Sequence, residues 1–375
     1  MDGNELVEAD RVPGALHPRY TSTLLGQAEA ERQFLEAYNR RRLHHGWLIV
    51  GPRGVGKATL AWRIAKFMRV KSDPAARRNG PPAKSLQVDA DHPSIRHLLN
   101  LTERSVTLVR RNADPKSGRV ESFVSVASVR ELKRFFSYSS AHQLPRVAII
   151  DSVDEMNKNA LNALLKLLEE PPAGSLLLLV CNSRALVPAT IASRCRMVRC
   201  LPIAAGDVAK LLCAQLELNQ MDAHALAQLS EGSVGEAMRI HHGAGMKIYS
   251  QLVTALSRFP DCTHVELAQL ALKGEGADGN RFADLLCFLL LALIRRTVRT
   301  ATGLKPETEV VPGEFETLVH LARAGQNADA WARTFSELSR NSFWARKVNI
   351  DNFSTIFGCF DQVLHRTGRL AGSGS

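Results

Sequence analysis

The chain has 375 residues, more than one ordinary core needs, so two or three domains are expected. Apolar residues make up 45% and charged residues 23%, which excludes a long disordered chain and fits a soluble globular protein. The formal net charge of +11 favours polyanionic partners, nucleic acid first. The opening Met1-Asp2-Gly3-Asn4-Glu5 is acidic and polar, unlike a signal peptide. The longest apolar run, Leu285 to Ile294, is about half of what spans a bilayer, so it reads as a buried helix and no membrane partner is expected. A cytoplasmic location follows. Seven cysteines are scattered without a C-x-x-C pair, which fits free thiols in a reducing compartment and gives no legible zinc site.

Residues 1–25 hold Pro13, Gly14 and Pro18 and read as an extended lead-in. A helix is expected from Ala28 to Arg41, then a short buried strand, Trp47-Leu48-Ile49-Val50. A glycine turn and a helix from Lys57 to Met68 complete a strand–loop–helix unit, the opening of an α/β domain. Residues 71–93 are rich in Pro, Lys, Arg and Asp and read as a surface loop. Val106 to Arg111 and Phe123 to Val126 are candidate strands, and Ser128 to Phe136 a helix. Val147 to Asp151 is a second buried strand ending in a carboxylate. Asn157 is placed to cap the next helix, whose Leu161, Leu164, Leu165 and Leu168 form one stripe. Pro171-Pro172 stops it, and Leu176 to Val180 is a third buried strand. Apolar strands alternating with helices predict a parallel sheet covered on both faces. From 204 to 243 the pattern is helical with a break at Gly232. From 247 to 367 it is wholly helical, with Phe282, Leu286, Leu289, Leu293, Trp331, Phe335, Phe343, Trp344, Phe353 and Phe357 as its large apolar residues. The final Gly372-Ser373-Gly374-Ser375 reads as a flexible tail.

Gly51-Pro52-Arg53-Gly54-Val55-Gly56-Lys57 matches the phosphate-binding P-loop up to its lysine, in the strand-to-helix context that gives the motif meaning. Glycines let backbone N–H groups curl around phosphate, and the helix N-terminus adds partial positive charge. The nucleotide-binding candidates are Gly51, Gly54, Val55, Gly56, Lys57, Ala58, Thr59, Asp151 and Asn182. Two of the expected groups are replaced. Ala58 stands where a Ser or Thr hydroxyl would hold Mg²⁺, and Thr59 is turned about 100° away from it. Asp151 ends its strand where the Walker B aspartate belongs, but the next position is Ser152, no general base near pH 7. Asp154 and Glu155 nearby read as a solvated helix start. ATP or ADP is therefore expected to bind weakly, with little help from metal.

Taken together, the residues from about Pro18 to Gly243 resemble the clamp-loader branch of the AAA+ ATPases. The pieces that carry the resemblance are His17-Pro18-Arg19, Leu25-Gly26-Gln27, Arg42 to Leu48, the P-loop, Asn159 to Pro172, and Ser193-Arg194-Cys195 within Ala192 to Arg196. The resemblance implies an AAA+ P-loop domain over 1–203, a helical lid over 204–245 and an all-α collar over 246–375. It implies that Arg194 is a catalytic arginine finger acting in trans on a neighbouring subunit's ATP, and that Asn182 is the sensor 1 residue. The sensor 2 arginine is replaced by Gly235 in Gly232-Ser233-Val234-Gly235-Glu236-Ala237. The four-cysteine zinc module of some relatives has no counterpart, since no cysteine precedes Cys181. A subunit without its own hydrolysis is therefore expected, with a working ATPase as the alternative. The implied partners are γ/τ-like ATPase and δ-like subunits, the sliding clamp and primer–template DNA. For DNA contact the basic clusters are Arg40-Arg41-Arg42, Arg77-Arg78, Arg110-Arg111 and Arg130/Lys133/Arg134.

Overall fold

The structure is a computed structural model. It describes residues 8–72, 81–102, 105–113, 120–137, 145–258, 264–272, 279–324, 327–347 and 350–368, with backbone only for 264–266, 342–347 and 365–368. Arg77-Arg78, the tail from Gly372, the residues Met1 to Glu5 and the side chains of Phe343 and Trp344 lie outside the described residues. The chain packs as two compact units, residues 1–203 with 233–235, and residues 204–232 with 236–375.

The first unit opens with α1 (Ala28–Asn39) and β1 (Gly46–Val50), followed by α2 (Lys57–Lys71), α3 (Pro93–Leu99) and β2 (Val106–Arg110). It continues with α4 (Val126–Ser137), β3 (Arg146–Asp151), α5 (Lys158–Glu169), β4 (Ser175–Cys181), the short α6 (Ala189–Ala192) and β5 (Arg196–Arg199). The five strands form one sheet in the order β2-β3-β4-β1-β5, and every pairing is parallel. Successive strand residues point to opposite faces, so each strand feeds two cores. Trp47, Ile49, Leu176 and Leu178 pack under α1, α2 and α3 with Phe34, Leu60 and Ile64. Leu48, Leu177, Leu179 and Ile150 pack under α4 and α5 with Val129, Leu132 and Leu164. The fold is thus an α/β P-loop domain with a helix-covered parallel sheet, joined to a helical C-terminal region.

Three local readings need correction. Phe123 to Val126 is not a strand: only Val124 makes a single bridge, to Met156, and Val126 already opens α4. The Ser125 hydroxyl accepts from the N–H of Ser128 at 3.3 Å, so a helix start wins over the alternation. The α5 stripe is turned toward Ala160, Leu164, Leu167 and Leu168, leaving Leu161 and Leu165 half-buried. Residues 71–93 are followed by α3, which the sequence pattern did not indicate. Asn157 caps α5 as expected, its side-chain oxygen accepting from the N–H of Ala160 at 2.9 Å.

The second unit is helical: α7 (Ala205–Leu216), α8 (Gln220–Ser230), α9 (Val234–His242, its first two residues in the first unit), α10 (Gly245–Leu256), α11 (His264–Leu272), α12 (Gly279–Ala301), α13 (Glu314–Ala324), α14 (Ala328–Lys347) and α15 (Asn352–Gly368). The apolar run Leu285 to Ile294 lies in α12, and Leu285, Leu286, Leu289, Leu290, Leu293 and Ile294 are buried. Trp331 of α14 is fully buried and its indole N–H donates to the Leu321 carbonyl at 3.1 Å. Glu314 is buried and accepts from Tyr249 Oη at 2.6 Å, Arg296 Nε at 2.6 Å and the Val310 N–H at 2.7 Å. Among the described residues no helix is long and apolar enough to cross a membrane.

Candidate functional site

The sheet brings Gly51, Asn182 and Asp151 to the carboxyl ends of three adjacent strands, β1, β4 and β3. That rim of an open parallel sheet is where ligand sites form. The P-loop follows β1 directly. The Gly51 N–H donates to the Cys181 carbonyl at 3.2 Å, and a Cβ at Gly51 would lie 2.3 Å from the Cys200 carbonyl oxygen, so only glycine fits there. Gly54 and Gly56 have φ of 76° and 102°, values that suit glycine, and Gly56 leads into α2 at Lys57. A Cβ at Gly56 would also strike Leu24. Gln27 is buried and ties the loop to the end of β5. Its amide nitrogen donates to the carbonyls of Val55 at 3.1 Å and Leu201 at 2.8 Å, and its oxygen accepts from the Leu201 N–H.

The loop is engaged by its own chain. Lys57 is buried and its ammonium donates to the Pro52 carbonyl at 2.5 Å. Burial pulls the Lys57 pKa below the ordinary lysine value, with the Asp151 charge opposing. Ser233 Oγ donates to the Arg53 carbonyl at 2.8 Å, and the Gly235 N–H donates to the Gly54 carbonyl at 2.9 Å. Ala58 is half-buried and carries no hydroxyl. Thr59 is buried.

At the end of β3, burial raises the Asp151 carboxyl to about 7, helped by the charges of Asp10 and Glu155 and opposed by Lys57. Asn182 Nδ2 donates to Ser152 Oγ at 3.2 Å, so the side chains just past the ends of β4 and β3 meet. Asp154 is buried rather than solvated, because its carboxylate accepts from the N–H groups of Asn182 at 3.0 Å and Ser183 at 3.1 Å. Glu155 pairs with Arg111 at 2.9 Å. Both carboxylates near Ser152 thus have partners of their own.

The lead-in is anchored beside this rim. His17 is buried, its Nδ1 accepting from the Arg19 N–H and its Nε2 donating to Asp10 at 3.0 Å. Arg110 of β2 closes on the same Asp10. Burial would raise the Asp10 pKa, but the His17 hydrogen bond and charge and the Arg110 charge outweigh it and hold it low. Arg110 and Arg111 are therefore spent on ion pairs within the chain. Arg40, Arg41, Arg42, Arg130, Lys133 and Arg134 are exposed.

Arg194 lies elsewhere. It sits in the turn between α6 and β5, and its carbonyl oxygen packs 3.3 Å from the position of a Cβ on Gly46, the first residue of β1. Gly46 and Gly51 mark opposite ends of β1, separated by five residue steps or roughly 16 Å. The Arg194 side chain is partly exposed; Nη1 donates to the Thr190 carbonyl at 2.9 Å and Nη2 meets Glu169 at 3.0 Å. Cys195 beside it is half-buried, and burial pushes its thiol up to about 12, so it is no nucleophile. Among the described residues no group of His, Cys, Asp and Glu is placed to hold a metal ion.

Residues 26–204 match the family model described as DNA polymerase III, delta subunit. Over that segment, just under half of its length, the chain is similar to that family. A DNA polymerase III subunit gamma from Buchnera aphidicola is 24% identical over 92% of this chain and 89% of its own length. A DNA polymerase III subunit delta' from Pseudomonas aeruginosa is 31% identical over 54% of this chain and 57% of its own length. The chain thus spans little more than half of the latter relative. Among solved structures, a gamma subunit-related protein from Thermotoga maritima aligns over 89% of this chain with 16% identity and a TM-score of 0.35.

Of the residues singled out in the sequence, the structure gathers the P-loop, Asp151 and Asn182 at one rim and leaves Arg194 at the opposite end of the sheet. Sequence reasoning assigned no role to Leu24, Gln27, Ser233 or Glu169. Gln27 and Glu169 lay inside the quoted family pieces, which was the one signal available for them.

Proposed function

We propose that this chain is the delta-prime-type subunit of the replicative clamp loader, without hydrolysis of its own. It gives Arg194 to the ATP of a neighbouring ATPase subunit. The observation that carries the reading is the position of Arg194. It stands a full strand length from the chain's own P-loop, further than one arginine side chain extends, so any phosphate it touches belongs to another molecule. The chain's own rim supports the same reading. Ala58 offers no metal hydroxyl, Ser152 no base, and Gly235 no sensor 2 cation. The three-part division into AAA+ domain (1–203), lid (204–245) and collar (246–375) goes with this reading. So do γ/τ-like and δ-like subunits, the sliding clamp and primer–template DNA as partners, and a cytoplasmic location. DNA contact through phosphates would fall to exposed groups such as Arg40, Arg41 and Arg42, since Arg110 and Arg111 are paired.

The second reading, a γ/τ-like working ATPase, is favoured by the extent of the match to the Buchnera gamma subunit. Reconstitution decides between them. Under the delta-prime reading the pure chain hydrolyses no ATP above background. An Arg194→Ala chain assembles with its partner subunits but lowers the DNA-stimulated hydrolysis of the assembly. Turnover by the pure chain that vanishes in Lys57→Ala establishes the working ATPase instead.

A further inference from the structure

We propose that Glu169 is a counter-ion that parks Arg194 within the subunit and that a neighbour's terminal phosphate must displace. The inference rests on the trans-acting role of Arg194 and deepens it by adding a regulator to that arginine. Arg194 Nη2 lies 3.0 Å from Glu169 Oε1, and Nη1 is held by the Thr190 carbonyl at 2.9 Å. Both terminal nitrogens are thus engaged with the chain itself. A phosphate is best held by two parallel N–H donors of one guanidinium, so bidentate engagement competes with the bond to Glu169.

The location of Glu169 is a second, independent pointer. It is the last residue of α5, where exposed carbonyls carry partial negative charge and a carboxylate is disfavoured. Glu170 follows directly. A carboxylate at that end of α5 is set against its own helix dipole, and it faces Arg194. The side chains of Glu169 and Arg194 are 42% and 38% exposed, so the pair is solvated and weak. Weakness suits a latch. A terminal phosphate carries more negative charge than one carboxylate and takes the guanidinium when it is present. When the neighbour's phosphate is gone, Glu169 takes it back. The latch thereby makes the arginine respond to the neighbour's nucleotide.

The test uses the reconstituted loader with wild-type, Glu169→Gln or Arg194→Ala subunit, measuring ATP turnover against ATP concentration at several salt concentrations. Glu169→Gln keeps the shape, removes the charge and relieves the helix dipole, so melting temperature and assembly stay at the wild-type level. Its loader should show kcat/KM for ATP raised by about two- to fivefold, an advantage that shrinks as salt screens the parked pair. If the Glu169→Gln loader equals or falls below wild type while Arg194→Ala still lowers turnover, the latch is wrong and the trans arginine stands. If Arg194→Ala leaves turnover unchanged in a normally assembled loader, the trans role itself fails, and the latch with it.

Discussion

The Gly235 N–H donates to the Gly54 carbonyl at 2.9 Å, and a Cβ at Gly235 would lie 2.7 Å from the Gly54 Cα. Gly235, which stands where the clamp-loader resemblance would place a sensor 2 arginine, makes instead a backbone-to-backbone contact with the P-loop. Glycine is the residue that permits so close an approach.

Gly235→Arg therefore does not rebuild a sensor. The side chain has to push the P-loop away or be pushed out itself, and overpacking of that kind costs about 1–3 kcal/mol. The expected outcome is a lower melting temperature with ATP hydrolysis still at background. A variant of unchanged stability would show that the loop yields freely, against the close packing described here.

Nucleotide binding by the isolated chain should be weak and nearly independent of Mg²⁺. Gly51, Gly54, Gly56 and Lys57 keep the cradle, but Ala58 has no hydroxyl for the metal, and the Lys57 ammonium must leave the Pro52 carbonyl to reach a phosphate. Calorimetry with ATP in the presence and absence of Mg²⁺ measures this. Tight binding that collapses when Mg²⁺ is chelated would contradict it.

The helical unit offers a stability test remote from the nucleotide rim. Glu314 is fully buried and shared by Tyr249, Arg296 and the Val310 N–H. Burial, with the Glu314 charge, raises the Tyr249 pKa well above the ordinary phenol value. Removing one partner of a buried ion pair strands the other, at a cost of about 3–5 kcal/mol. Glu314→Ala should destabilise the protein by that order in denaturant titration, and Tyr249→Phe by less, because it leaves the Arg296 pair intact. Equal losses in the two variants would show that the ion pair is not the main element.

The sequence made the buried strands legible because their apolar runs are continuous, as in Val147 to Ile150 and Leu176 to Val180. Strand β5 was not legible. Its Arg196 and Arg199 are exposed, as an edge strand allows, and they break the apolar run. Phe123 to Val126 misled for the opposite reason, an alternation overridden by the cap at Ser125. The P-loop and the missing hydroxyl at Ala58 could be read from spacing, because they are local in sequence. The engagement of the loop by Ser233 and Gly235, some 180 residues away, could not. Nor could the burial of Asp154, which depends on β4 ending beside β3 and presenting two backbone N–H groups. Glu169 and Arg194 meet only because α5 and α6 end at the same edge of the sheet.

Asp151 gives the pH test. Its carboxyl is pushed from the ordinary 3.8 up to about 7 by burial, first, and by the charges of Asp10, Glu155 and Asp154, against Lys57. Between about pH 4 and pH 7 the folded chain keeps this proton while the unfolded chain has lost it. The folded state then binds more protons, so this group's contribution to stability falls as pH rises through that window and levels off above the folded pKa. Asp151→Asn keeps the size and removes the ionisation. Relative to wild type, the variant should gain stability steadily from pH 4 to pH 7, by at most roughly 4 kcal/mol, and then hold a constant difference. Urea titrations of both proteins across this range read the difference directly, and the acid-side contribution of Asp10 is common to both and cancels to first order. A difference that is flat with pH, or that shrinks as pH rises, would mean that Asp151 is already ionised in the folded chain and that Lys57 holds it as an ion pair at the rim.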